Sequence, residues 1–293
     1  MKLIIVLVGF ICLRGRIQAQ TNSLSSTVAS AISVSNFNLN ITIQQVNNTI
    51  NSADQTILTS WNQFGQAIED LYVSYYNRFK NYTTMDLTPI TDAICSMRTT
   101  ISYPPQLMQD DSVSQVFSTV QESAEQVESI ITAAATSMAN AACVAPCSAT
   151  KLATCTTKFG DRLTTSPISI DRITDCVAAE KTRYTNIGNN IAVQYTKVLT
   201  SAMNYLAVVD VCDTPAPEAL NNSSTNYGPP STQCLTNYLY RFGNTPMSTF
   251  VAESMRMPQM QTVSYRMQRC AKLVALDIKD RVDKILESFH NCL

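Results

Sequence analysis

From Val113 to Ala141 the apolar residues Val113, Phe117, Val120, Ala124, Val127, Ile131, Ala134, Met138 and Ala141 step 4-3-4-3-4-3-4-3 without a break. A spacing of three and four keeps side chains on one stripe of an α-helix, whereas a strand needs alternation. Sustained over four heptads, the stripe is a coiled-coil-like seam that a second helix must cover. Alanines in it let that neighbour approach closely.

Three more rows repeat the pattern. Ile43, Val46, Ile50, Ala53, Ile57, Trp61, Phe64, Ile68, Leu71 and Tyr75 form one, with a four-residue stutter near Ile57. They predict a first long helix over about 27–80, with a second over 111–144. Upstream, Phe37, Leu39, Ile41 and Ile43 alternate with polar residues, which is strand period. A lone strand has no partner in a helical chain, so helix is kept there. A third row, over about 168–212, holds Ile173, Val177, Glu180, Tyr184, Ile187, Ile191, Gln194, Val198, Ala202, Tyr205, Val209 and Cys212. Its polar members Glu180 and Gln194 serve to fix register. The fourth, over about 246–292, holds Val263, Met267, Cys270, Val274, Ile278, Val282, Ile285, Phe289 and Cys292, with a kink expected at Pro258.

Punctuation agrees. Thr88-Pro89 and Thr245-Pro246 read as N-cap plus first-turn proline. Pro104-Pro105 ends a short helix carrying Ile90, Ile94, Met97 and Ile101. Residues 213–231, rich in proline and serine, form one solvent loop, and a short helix is expected around Cys234–Phe242. Only 7 glycines are present, too few for the turns of a β protein of this length. The expected fold is all-α: an elongated antiparallel bundle of about four long amphipathic helices. The division expected is a leader over 1–19, a helical hairpin over 20–104 and a cysteine-rich bundle over 105–293.

The leader rests on Met1-Lys2 followed by the apolar run Leu3–Leu13. That run is shorter than the roughly 20 residues a bilayer needs and has the length of a signal-peptide core. Ala19 offers a small residue at the cleavage edge, so the mature chain is expected to begin at Gln20, extracellular and without a membrane span. Losing Lys2, Arg14 and Arg16 takes 21 basic residues to 18 against 22 acidic, a net charge of −4. That argues against nucleic acid or an anionic membrane as partner.

In an oxidising compartment the nine cysteines left after Cys12 read as disulfides, with one thiol over. Cys212 and Cys234 flank the solvent loop and are expected to bond. Cys292 is expected to bond in the connection between the second and third long helices, at Cys155. The argument is one of level: with residue 246 set beside Cys212, Cys292 falls opposite about residue 166. The same count puts Cys270 opposite about residue 188, roughly 18 Å from Cys176, and leaves Cys176–Cys270 the weaker pair. Asn40, Asn47, Asn81, Asn221 and Asn222 open Asn-x-Ser/Thr sequons, acceptors for glycans on a secreted chain. Asn40 and Asn47 share one edge of the first helix, beside its seam.

No residue set for catalysis, metal or cofactor stands out. The one histidine, His290, lies at a helix end, where it faces the last carbonyls. Cys143-x-x-x-Cys147 suits disulfides better than zinc. Asp110-Asp111 suits a helix start and Asp277 with Asp280 a solvated face beside Lys279 and Arg281. Met247, Met255, Met257, Met260 and Met267 are an enrichment that either packs around Pro258 or offers a plastic apolar face.

Cys176, Cys212, Cys234, Cys270 and Cys292, with Asn-, Gln- and Thr-rich helices between them, resemble the insect secreted proteins with a tsetse EP domain, over residues 146–293. The glutamate–proline repeats of that family are absent. The resemblance implies a gut or body-fluid protein and no particular activity. The function expected is non-catalytic: interaction with an unidentified protein or with a second copy. The alternative is an extracellular carrier of a small apolar ligand, which requires an enclosed cavity of a few hundred cubic ångströms.

Overall fold

The computed structural model describes residues 2–79, 88–105, 107, 111–144, 149–215, 227–230 and 245–293. Among these the chain is helical almost throughout: α1 (Lys2–Phe79), α2 (Thr88–Ile101), α3 (Asp111–Val144), α4 (Ala149–Gly160), α5 (Asp171–Cys212) and α6 (Thr245–Cys292). The 3-10 turns Asp161–Thr164 and Ser166–Ile168 lead from α4 to α5. The ends of the proline-rich segment pair as two short antiparallel strands, β1 (Asp213–Pro215) and β2 (Tyr227–Pro230), with Asp213 opposite Pro230. The expected short helix around 234–242 lies outside the described residues.

The helices begin and end where the chemistry of their ends allows. Proline follows the first residue of both α2 and α6, where its missing N–H leaves nothing unpaired. At the start of α5, Ser169 Oγ accepts the Asp171 N–H at 3.1 Å and donates to Asp171 Oδ2 at 2.8 Å. Pro258 is carried within α6, and the helix continues through it.

The fold divides into two compact units. Unit 1 is Met1–Asn48, Asp110–Thr182 and Val263–Leu293; unit 2 is Thr49–Gln109 and Arg183–Thr262. Each gathers pieces distant in sequence.

In unit 1, α3 runs against α1: Asn36 Nδ2 donates to Glu128 Oε2 at 2.9 Å, and Ile131 shares a small cavity with Val28, Ile32 and Ser35. The segment entering α5 runs with α1, since Leu24 lies beside Gly160 and Ser35 Oγ is 3.1 Å from Ser169 Oγ. The end of α6 runs against α5. The result is the up-down-up-down order of a helix bundle. Its core holds Val28, Ile32, Leu39, Val120, Val127, Ile131, Met138, Ile173, Val177, Met267, Ile278 and Phe289, each less than 10% exposed. Burying each such side chain contributes about 1.5–3 kcal/mol.

In unit 2, α2 folds back on α1. Gly65 faces Ile101, Glu69 Oε1 accepts from Arg98 Nε at 2.7 Å, and the Arg98 guanidinium lies 4.5 Å from the centroid of Tyr72. On α1, Trp61 and Phe64 close around Tyr195 of α5, with ring centroids 5.2 and 6.0 Å from it. Asp54 and Arg256 are buried polar members of this unit.

Several sequence expectations are corrected. The connection after Val144 contains helix α4, which buries Leu152, Cys155 and Phe159 on one face. Three apolar positions are too short a row to declare themselves in the sequence. Val116, not Phe117, is the fully buried neighbour of Val113, and Tyr195 takes the place assigned to Gln194, which is exposed. An α-helix drifts about 20° per heptad against a strict 3.5 repeat, so the inward position moves to the adjacent residue.

Candidate functional site

Two disulfides and two ion pairs fix the level of α6 in unit 1. Cys176 bonds Cys270 with Cα atoms 5.8 Å apart, and Cys155 bonds Cys292 at 6.0 Å. Between the same helices, Arg266 Nε lies 3.2 Å from Glu180 Oε1 and Arg172 Nη1 donates to Asp277 Oδ2 at 2.6 Å. As numbers rise along α5 they fall along α6. The level count that set Cys270 opposite residue 188 is therefore wrong, and Cys176–Cys270 is not the weaker pair. Cys292 reaches Cys155 because α4 carries that cysteine to its level. Lys151 Nζ also donates to the Leu293 carbonyl at 3.0 Å, so the last turn of α6 is tied at two points.

The electrostatics around this lock are those of paired surface groups. Hydrogen bonds from Arg281 first and Arg172 second hold the Asp277 carboxyl below the usual carboxylate range, and Arg281 is raised in return by Asp277. Asp280 accepts from Lys284 at 2.6 Å. In unit 2 burial pushes the Tyr75 phenol up, opposed by its hydrogen bond with Thr91, and the bond to Glu69 raises Arg98. Among the described residues no three His, Cys, Asp or Glu side chains gather as a metal would need, and no helix is long and apolar enough to cross a membrane. His290 is exposed, its ring 5.7 Å from Phe289. Met260 and Met267 are buried core residues; the side chains of Met247, Met255 and Met257 lie outside the described set.

The sequons divide by exposure. Asn40 is exposed and Asn47 is half-buried with a polar partner. Asn81, Asn221, Asn222 and Cys234 lie outside the described residues, as do the side chains of Cys143, Cys147 and Cys212. Cys95 is an exposed free thiol.

Sequence reasoning missed the outward faces. On α1, Leu39 and Ile43 point into the core, while Val34, Phe37 and Ile41 point away, 57%, 64% and 37% exposed. The apparent strand alternation at 37–43 is thus two helical rows on opposite sides of one helix. On α6, Tyr265, Leu273 and Leu276 are 59%, 55% and 63% exposed. The signal was present as apolar residues off the seam, but a search for one row per helix passes over it.

Beside the start of α5, Thr27, Ser30, Ser35, Thr164, Ser166 and Ser169 line an open groove. The small, partly open space among Val28, Ile32, Ile131, Leu163 and Ile168 is about 20 Å³, enough for one water and far from a ligand.

No family model, no curated protein and no solved structure matches this chain.

Proposed function

We propose that this chain is a secreted, N-glycosylated, non-catalytic protein that works by contact between proteins, self-association included, through the outward faces of its helices. The observation that carries the reading is the apolar side chains set outward on helices whose inward faces are already filled. Scattered apolar residues are ordinary on a surface, but Val34, Phe37 and Ile41 follow helical spacing and form a row. Such rows mark contact surfaces.

Independent features support the compartment. The 1–19 leader pattern, two disulfides and an exposed sequon at Asn40 suit one oxidising route. The resemblance to the tsetse EP proteins points the same way. Phe37 lies three residues before Asn40, its neighbour on the helix surface, so a glycan at Asn40 would shelter part of the α1 row.

The test is expression of the full chain in a eukaryotic secretory host. The mature chain is expected in the medium, starting at Gln20, with mass released by a peptide N-glycosidase and Asn40 converted to Asp. Intracellular retention of a chain still carrying Met1, or a secreted chain without glycans, would sink the compartment. Sedimentation velocity with cross-linking then reads association.

A further inference from the structure

The α6 helix carries a second row on the side away from its core. The core row is Val263, Met267, Val274, Ile278, Val282 and Phe289. The outward row is Tyr265, Arg269, Lys272, Leu276, Asp280, Asp283 and Glu287, all exposed, with Leu273 beside it. Its steps of 4-3-4-4-3-4 keep one helical face for about six turns, roughly 33 Å at 1.5 Å per residue.

The order of charge along this row is not mixed. Arg269 and Lys272 precede Leu276; Asp280, Asp283 and Glu287 follow it. Reflected about Leu276, Lys272 falls on Asp280, Arg269 on Asp283 and Tyr265 on Glu287. A face with this symmetry is complementary to itself when a second copy lies antiparallel across a two-fold axis, the arrangement of an isologous dimer.

We propose that the α6 outward face is a homodimer interface, antiparallel about Leu276. The inference rests on the proposed self-association and names its surface. Leu276 packs on its symmetry mate, and Leu273 packs on the Lys279 stem of the second copy. Each Arg269–Asp283 and Lys272–Asp280 pair occurs twice. The pairs now made within the helix, Lys279–Asp283 at 3.3 Å and Lys284–Asp280 at 2.6 Å, join side chains 60–71% exposed. Such pairs are weak and exchange readily. The α6 helix contains no Asn-x-Ser/Thr sequon, so no N-glycan on it stands over this face. One helix per copy makes an interface at the small end of the range, so a dissociation constant of about micromolar and marked salt dependence follow.

The experiment uses the secreted full chain and two double variants. Arg269→Asp with Lys272→Asp makes the charged row all acidic; Asp280→Lys with Asp283→Lys makes it basic at every charged position but Glu287. These positions are exposed, so both variants are expected to melt near the unmodified chain. Each alone should lose dimer by at least about tenfold in dissociation constant, and an equimolar mixture should restore it as a heterodimer. If a variant fails to fold, the unmodified chain still decides. Its dimer should weaken by about tenfold or more between 0.05 and 0.5 M salt, and indifference to salt overturns the proposal. A dimer untouched by either variant, or a mixture that stays monomeric, overturns this face and leaves self-association elsewhere intact. A chain that stays monomeric at about 100 µM overturns both the face and the self-association reading.

Discussion

Gly188 of α5 lies directly against Ala53 of α1: a Cβ placed on Gly188 would stand 2.7 Å from the Ala53 Cβ and 3.1 Å from its Cα. Two helix backbones approach here as closely as small residues permit. Glycine inside a helix costs about 1 kcal/mol against alanine, so Gly188→Ala gains that in propensity. It must also push apart two helices packed at backbone distance, which costs about 1–3 kcal/mol. The clash is expected to win, with a fall in melting temperature. Gly160→Ala is the control. Its Cβ would meet Leu24 Cδ1 at 2.6 Å, the free end of a side chain that can rotate away. That variant should be close to neutral, and thermal unfolding of the two checks the contrast.

Legibility divides by what a pattern encodes. All ten residues of the α1 row from Ile43 to Tyr75 are buried, because a long row leaves no choice of face. The α3 and α5 rows were read as well except at Phe117 and Gln194, where the buried residue is the adjacent Val116 or Tyr195. Level along the axis was not legible, because a heptad repeats and every shift by seven residues satisfies it. Only groups unique in the sequence set the level. Here they are Cys176 with Cys270, Glu180 with Arg266 and Arg172 with Asp277. Glu180 shows the difference. Its role in fixing register was legible; that Arg266 answers it was not.

Removal of the Cys176–Cys270 bond tests that level. The two cysteines are 94 residues apart, and closing a loop of that size contributes about 4–5 kcal/mol in the chain-entropy model. The Cys176→Ala, Cys270→Ala double variant should lose several kcal/mol in denaturant unfolding with its helix content kept. Non-reducing peptide maps of the unmodified chain should join Cys155 to Cys292 and Cys176 to Cys270. A peptide joining Cys292 to Cys176 would break the assigned level.

The Arg172–Asp277–Arg281 cluster gives a pH signature. The folded carboxyl is depressed by its two arginine partners. Its contribution is therefore present above the ordinary carboxylate range and lost as pH falls through the depressed value. Asp277→Asn should melt below the unmodified chain by a constant margin above about pH 5, and the margin should close at lower pH. A margin that stays the same down to about pH 2 would assign the loss to packing.

Cys95 is expected to be the odd thiol of the mature chain. Four of the nine cysteines form the two bonds described, and Cys95 is exposed and unbonded. Cys143, Cys147, Cys212 and Cys234 remain, an even number. Cys212 precedes Asp213, which pairs with Pro230 at the base of the β1–β2 ladder. One thiol per chain should then titrate in the native secreted protein, and Cys95→Ser should abolish it. Alkylation of native protein followed by peptide mapping locates the label, and a label on Cys212 or Cys234 ends the assignment. An exposed thiol is also the position at which two chains can be bonded on oxidation. Because Cys95 lies on α2 and is not part of the α6 face, the two routes are tested separately. Cys95→Ser removes any dimer sensitive to reductant and leaves a salt-sensitive one untouched.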